Sequence, residues 1–182
     1  MAKVEELIST KDVAARVEAL AKEIVADWPI ADESGDRVVN MVAMLKGAFI
    51  FAADLARALS RQGAEVNIDF MTVKSYGKST ESSRKVKQVG PPPEDLDGRT
   101  VLLVDDILDT GHSLTYAQEL LLATGAKAIK SCVLLNKQER READIAADYV
   151  GFEIPNAFIV GYGLDYASRY RELPFVAKVL ET

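Results

Sequence analysis

Four apolar residues in a row, Val101-Leu102-Leu103-Val104, run straight into two adjacent carboxylates, Asp105 and Asp106. An unbroken apolar run of this kind predicts a strand buried on both faces, as found in parallel sheets. A third carboxylate, Asp109, follows, then Thr110-Gly111-His112-Ser113, then an amphipathic stretch from Leu114 to Thr124 that predicts a helix. The acidic and small residues are therefore expected in a turn at the carboxyl end of a strand, where open α/β sheets bind ligands.

The rest of the chain alternates between the two periodicities. Apolar spacing predicts a helix from Val13 to Asp27, ended by Trp28-Pro29. Val38, Val39, Met41, Val42 and Met44 predict a strand over Arg37 to Met44, broken by Lys46-Gly47. The Ala-, Phe- and Leu-rich run from Ala48 to Ser60 predicts a helix, and Gly63 its cap. Near-alternation from Val66 to Lys74 predicts the next strand. A polar stretch from Ser75 to Pro93 then carries Gly77, Gly90 and three prolines; it is too long for a tight turn, and such loops are usually functional or disordered. Further strands are expected at Thr100 to Val104, Ala128 to Leu135, Tyr149-Val150 and Phe158-Ile159-Val160. Strands alternating with helices imply an α/β fold with a mainly parallel sheet and crossover helices.

Composition narrows the setting. The 182 residues are most simply one domain, 1–182, with room for a sizeable core. No apolar run reaches the ~18–20 residues needed to span a membrane. The segment Met1 to Thr10 mixes charges and lacks a signal-peptide core, so a cytoplasmic location and no membrane partner are expected. The single Cys132 lies in an apolar strand-like run, reads as core packing and cannot form an internal disulfide, which suits a reducing compartment. A net charge of −6 argues against a nucleic-acid partner, which would require a basic face, while leaving room for a local cationic pocket. His112 is the only histidine, which excludes a histidine-rich metal site.

Several chemistries use an apolar strand ending in carboxylates. A P-loop nucleotide hydrolase needs G-x-x-x-x-G-K-[ST], and the chain has no such segment. A dinucleotide site needs G-x-G-x-x-G after an early strand; Gly161-Tyr162-Gly163 supplies two glycines, far along the chain. Phosphoaspartyl enzymes use a strand-end aspartate but do not call for Asp-Thr-Gly-x-Ser after it. That last portion has the makings of an anion site. Thr110 and Ser113 offer hydroxyls, Gly111 permits close backbone approach, and the amides of a helix's first turn favour negative charge. Carboxylates upstream and an anion cradle downstream imply one ligand with a phosphate at one end and a polyhydroxylated or cationic part at the other. A 5-phosphorylated ribose satisfies both.

These residues resemble the signature of type I phosphoribosyltransferases: an apolar strand, two acidic residues, two apolar residues, then Asp-Thr-Gly. Leu45-Lys46-Gly47, Lys74-Ser75-Tyr76-Gly77, Leu134-Leu135-Asn136-Lys137, Tyr149 to Pro155, and Val160 to Tyr166 with Arg171 further resemble hypoxanthine-guanine phosphoribosyltransferases, in order and from about Val38 onward. The resemblance implies a central, mainly parallel twisted sheet flanked by helices, a small hood from the N- and C-terminal segments, and a flexible lid at about 75–93. It implies transfer of a 5-phosphoribosyl group from 5-phosphoribosyl 1-pyrophosphate (PRPP) to a 6-oxopurine, with Mg2+, in a homodimer or homotetramer.

Residue by residue, the resemblance assigns Asp105 and Asp106 to the ribose hydroxyls and to magnesium. Asp109 becomes a general base, or proton stabiliser, at purine N7; the alternative for it is a helix N-cap. Thr110, Gly111, His112 and Ser113 become the 5′-phosphate loop, His112 standing where many relatives carry a lysine and acting through its amide rather than its ring. Lys46-Gly47 would form a pyrophosphate loop containing a cis peptide, joined by Ser75 and Tyr76 of the lid and by Arg171. Asp165 would bind a second magnesium. Lys137 would donate to the purine 6-oxo group; an ammonium has no acceptor for adenine's amino group. Phe158 would stack on the base and Ile159 would meet its edge through the backbone, though either could be core. A transferase for xanthine or adenine, and an RNA-binding regulator of the same fold, remain the alternatives at this stage.

Overall fold

The computed structural model describes residues 3–29, 37–76 and 85–180. A short strand β1 (Val4–Ile8) leads into helix α1 (Thr10–Asp27), then β2 (Val38–Leu45), α2 (Phe49–Arg61), β3 (Glu65–Tyr76), β4 (Lys85–Val89) and β5 (Thr100–Leu108). Helix α3 (His112–Ala123), β6 (Ala128–Asn136), β7 (Tyr149–Glu153), β8 (Ile159–Val160) and β9 (Val176–Val179) complete the order. Two sheets result: a six-stranded one in the order β4-β3-β2-β5-β6-β7 and a three-stranded one in the order β1-β9-β8. In the large sheet only the β3–β4 pair is antiparallel.

Local chemistry explains the element ends. The Ser9 hydroxyl accepts from the Asp12 N–H and starts α1 ahead of the apolar spacing. Trp28, forced out of the helical region by Pro29, stops it. Gly63, at φ +86°, follows α2 as expected for a left-handed cap.

Strand β5 is the spine. Val101, Leu102, Leu103 and Val104 are all inaccessible to solvent. Leu102 and Val104 pack in the cluster that includes α1 and α2 residues, Val101 and Leu103 in the cluster that includes α3. Both faces are thus covered, as the unbroken apolar run predicts. Cys132 of β6 is in the first cluster, a buried thiol whose ionisation burial suppresses.

The site follows from topology. From β2 the chain moves outward to β3 and then returns to place β5 on the other side of β2, so strand order reverses between β2 and β5. Their pairing ends at Ala43 with Val104. Beyond it the two strands separate, while β5 stays paired with β6 as far as Leu108 with Asn136. A crevice therefore opens at the carboxyl ends of β2 and β5, the position at which doubly wound sheets bind ligands.

Four expectations change. Asp105 and Asp106 lie within β5, not in the turn after it, because β6 continues to pair alongside them. Helix α3 begins at His112, before its first apolar residue, since Gly111 at φ +93° turns the chain there. The polar stretch expected as a loop from Ser75 to Pro93 includes the end of β3 and a return strand, β4, paired from Thr72 with Val89 to Tyr76 with Lys85; residues 77–84 lie outside the described residues. Phe158 precedes β8 rather than joining it. Strands β1 and β9 went unread because Glu5, Glu6 and Lys178 interrupt their apolar pattern; they pair with each other and carry β8. This small sheet is the hood built from both ends of the chain.

Truncating Leu103 to alanine removes a fully buried side chain between β5 and α3. The unfolding free energy should drop by ~2–5 kcal/mol, read as a lower urea midpoint with an unchanged slope. A midpoint equal to that of the wild type would contradict the two-faced packing of β5.

Candidate active site

The crevice encloses about 360 Å³ and is lined by Met44, Leu45 and Gly47 at the end of β2, by Val73 of β3, by residues 105–111, Ser113 and Leu114 at the end of β5 and start of α3, and by Arg140. Asp105 is buried, and its Oδ1 accepts the backbone N–H of Asp106 at 2.9 Å. Burial, and after it the neighbouring Asp106 charge, raises the Asp105 carboxyl well above the usual carboxylate range. Burial raises Asp106 too, while the Asp105 side chain, nearby backbone amides and the charge of Arg171 pull it back. The pair is short of positive charge in the protein alone.

Backbone closeness fixes this corner. A Cβ on Gly47 would fall 1.6 Å from Asp106 Oδ2, and one on Gly163 would fall 2.1 Å from the Gly47 carbonyl oxygen. Asp106, Gly47 and Gly163 are therefore stacked with no room for a side chain between them. The Leu45–Lys46 peptide is cis, within the loop for which the resemblance implies one. Tyr162, between Gly161 and Gly163, donates its hydroxyl proton to Asp54 Oδ2 of α2 at 2.5 Å, tying this turn to the helix that follows the Lys46-Gly47 loop.

Across the crevice, Asp109 sits in the turn between β5 and α3. The N-cap of α3 is Gly111, with no side-chain cap, so the N-cap alternative for Asp109 falls. Asp109 Oδ2 instead faces Arg140 Nη1 at 3.3 Å, and its Oδ1 is buried with no hydrogen-bond partner among the described residues. Arg141 clamps the turn from behind. Its Nε donates to the Asp109 carbonyl at 3.0 Å, Nη2 to the Leu108 carbonyl at 3.2 Å and to Asn136 Oδ1 at 2.5 Å, and Nη1 to the Ile145 carbonyl at 2.7 Å. Asn136 in turn donates to Glu153 at 2.8 Å. Lys137 follows, buried, with its own N–H bonded to the Leu108 carbonyl at 3.0 Å. Burial lowers the Lys137 ammonium from its usual range; Asp109 opposes that shift and Arg140 reinforces it.

Asp165 and Arg171 lie in the loop after β8. Arg171 Nη2 meets Asp165 Oδ1 at 2.5 Å and its Nη1 donates to the Gly163 carbonyl at 2.6 Å, while Asp165 Oδ2 accepts the Ser168 N–H at 2.7 Å. Both Asp165 oxygens are thus engaged by the protein itself. Phe158 is 55% exposed, with Tyr166 set edge-on at 5.3 Å between ring centres. Ile159 is core, so its side chain is unavailable to a ligand.

Of the residues picked out from sequence, Gly47, Asp105, Asp106, Asp109, Thr110, Gly111 and Ser113 line one crevice. Lys137 reaches it electrostatically through Asp109, and Arg171 through Asp106. Lys46 is exposed and does not line it. Neither Phe158 nor Asp165 lines it, and the ring of His112 turns to Glu142, Nε2 to Oε2 at 2.8 Å. The backbones of Ser75 and Tyr76 end β3, and their side chains lie outside the described residues. Sequence reading passed over Arg140, Arg141 and Tyr162. The signal for the arginines was present: three carboxylates in five residues require nearby cations, and Arg140-Arg141 begins three residues after Lys137.

The phosphoribosyl transferase domain pattern matches residues 3–167 of this chain. This chain belongs to the phosphoribosyl transferase family. Among the most similar relatives of this phosphoribosyl transferase are the hypoxanthine-guanine phosphoribosyltransferase of Aquifex aeolicus, 46% identical over 97% of this chain and 95% of that one, and the hypoxanthine phosphoribosyltransferase of Salmonella typhimurium, 41% identical over 97% and 96%. Its fold matches a crystal structure of a Bacillus anthracis hypoxanthine-guanine phosphoribosyltransferase with a HEPES molecule in the active site, at a TM-score of 0.88 and 40% identity, covering 99% of this chain and all of that one.

In this phosphoribosyl transferase, Asp105→Asn keeps an acceptor for the Asp106 N–H and removes one buried charge. The Asp105 carboxyl is raised in the fold, so wild-type stability is full at acid pH and is lost as pH rises through the folded value. The variant should therefore melt higher near neutral pH, by roughly 2–4 °C if about 1 kcal/mol of repulsion is relieved. The gain should vanish below about pH 4, the range of free carboxyls. Thermal melts across a pH series read this directly, and a variant that melts no higher than wild type at neutral pH contradicts the repulsion.

Proposed function

We propose that this chain is a purine-salvage enzyme that transfers the 5-phosphoribosyl group of PRPP to hypoxanthine and/or guanine, yielding the 5′-nucleotide and pyrophosphate. The observation that carries this reading is one crevice that brings together an acid pair, a turn of small and hydroxyl residues at the start of a helix, and a carboxylate, Asp109, whose charge acts on the buried Lys137.

Asp105 and Asp106 would accept the ribose hydroxyls and stabilise positive charge growing at C1′ as pyrophosphate leaves. The same pair would hold Mg2+. Two adjacent carboxylates short of positive charge suit a hard cation. Among the described residues no cluster of three or more candidate side chains forms a full cage, which suits an ion that keeps waters and takes substrate oxygens. Bound magnesium would supply charge to the pyrophosphate and ribose oxygens. Asp165, held by Arg171 and the Ser168 N–H, would have to exchange these partners to serve a second ion.

The amides and hydroxyls of Thr110 to Ser113 at the start of α3 would hold the 5′-phosphate. Gly47, Lys46 and Arg171, with Ser75 and Tyr76 at the edge of a lid at about 75–93, would bind pyrophosphate, and closure would keep water from an electron-deficient C1′. The Lys137 ammonium makes no hydrogen bond among the described residues and would donate to the 6-oxo group, while Asp109 would take or hold the proton at N7. Phe158, exposed and steadied by Tyr166, would stack on the base, and the Ile159 backbone would meet the base edge.

A homodimer or homotetramer belongs to the same reading. Supporting it, Ile68 and Phe70 are exposed on the stretch of β3 that β4 does not cover. A cytoplasmic setting is supported by the buried free thiol of Cys132. No helix among the described residues is long and apolar enough to cross a membrane.

Product formation from PRPP, Mg2+ and a panel of bases tests the reading: nucleotide should form with hypoxanthine or guanine and not with adenine. Faster turnover of adenine would overturn the role given to Lys137. Asp109→Asn should lower kcat by ~10²–10⁴-fold with little change in donor KM. An unchanged kcat would remove Asp109 from the chemistry.

A further inference from the structure

The phosphate end of the crevice lacks an obvious cation. His112 opens α3 beside Thr110 and Ser113, yet its imidazole is committed to Glu142 at 2.8 Å and does not line the crevice. Among the described residues lining the crevice, Arg140 alone is cationic. It sits in the 3₁₀ turn Gln138–Arg140 immediately after Lys137, and it lines the same crevice as Thr110, Gly111 and Ser113.

Arg140 pairs with Asp109 at 3.3 Å, the two side chains being 42% and 31% exposed. An ion pair of that length and exposure is weakly held. A phosphate monoester carries up to about two negative charges and three acceptor oxygens, and a guanidinium meets it with two parallel hydrogen bonds. A phosphate arriving at the start of α3 therefore outcompetes the Asp109 carboxylate for this side chain.

We propose that Arg140 is a cation that changes partners: it holds Asp109 in the free enzyme and passes to the 5′-phosphate when donor or nucleotide binds, releasing the Asp109 carboxylate toward the purine. The proposal rests on the reading that Thr110 to Ser113 cradle the 5′-phosphate and that Asp109 faces the base. Arg140 thereby supplies the charge that His112 does not, and it links occupancy of the phosphate end to readiness of the base end. Arg141, its neighbour, is spent on four backbone and side-chain acceptors and is not available for this task.

The test is calorimetric titration of the full chain, as wild type, Arg140→Ala and Arg140→Lys, with inosine 5′-monophosphate and with inosine, joined to steady-state kinetics. In Arg140→Ala, affinity for the monophosphate should fall about 10–100-fold, as for loss of a charged hydrogen-bond pair. Affinity for inosine should stay within about threefold, and Arg140→Lys should recover part of the loss. Donor KM should rise in the alanine variant with kcat within a few-fold, the opposite split from Asp109→Asn. Equal losses for both ligands, or no loss for the monophosphate, would overturn the proposal while leaving the phosphate cradle standing. If wild type bound inosine as tightly as the monophosphate, the cradle reading itself would fall, and the proposal with it.

Discussion

Two carboxylates side by side at the buried end of a strand set the terms for everything around them. Asp105 and Asp106 occupy a position where the sheet has parted and burial makes either costly to ionise, and a charge on Asp106 raises that cost further for Asp105. Of the groups acting on Asp106, the one cation is Arg171, and that residue is shared with Asp165 and the Gly163 carbonyl. A site built this way is poised for a positively charged visitor. An ion, or a reaction centre gaining positive charge, relieves a repulsion that the fold alone leaves in place, which is differential stabilisation of the charged state rather than simple attraction.

The second constraint is steric, and it ties the hood to the crevice. Asp106 leaves no space for a side chain at Gly47, and the Gly47 carbonyl leaves none at Gly163. Gly163 follows Tyr162, which is anchored to Asp54 of the helix after Gly47, and it offers its carbonyl to Arg171. The loop after β2 and the loop after β8 are thus held in a fixed relation by backbone contact and a short list of hydrogen bonds. Any ligand that engages the acid pair and Arg171 is held between two elements whose relative position is already set, which reduces the ordering cost of binding.

Legibility in the sequence followed the range of the interactions involved. Strand β5, helix α3 and the crevice-lining acidic and small residues were readable because periodicity and local spacing encode them, and the segment Val101–Ser113 holds both the buried run and its chemistry. The continuation of β5 through the aspartates was not, because pairing with β6 overrides the polarity of Asp105 and Asp106. The hood strands escaped notice for the same reason: Glu5 and Lys178 read as surface charges, and only their pairing across the length of the chain makes a sheet of them. Arg141 is the clearest miss. A cation in a charged run is ordinarily a solvated surface residue; here four acceptors contributed by residues 108, 109, 136 and 145 converge on it, and no local pattern predicts that convergence.

Placing three charged side chains, Asp109, Lys137 and Arg140, around one corner makes that corner different in kind from the one holding Asp105 and Asp106. At the acid pair like charges are forced together and wait for compensation. Around Asp109 opposite charges are already matched, but loosely. Lys137 is buried deeply enough to be destabilised as a cation, and it is held there by Asp109 against the push of Arg140. With Arg140 drawn away, this corner would keep a lysine and a carboxylate, one able only to donate and the other, while ionised, only to accept. A 6-oxopurine presents the complement along one edge, an oxygen to receive and an N7 proton to give as the bond to C1′ forms. Selectivity for the oxo group and assistance to bond formation would then arise from one arrangement, in which the Asp109 charge offsets part of what burial costs the Lys137 ammonium.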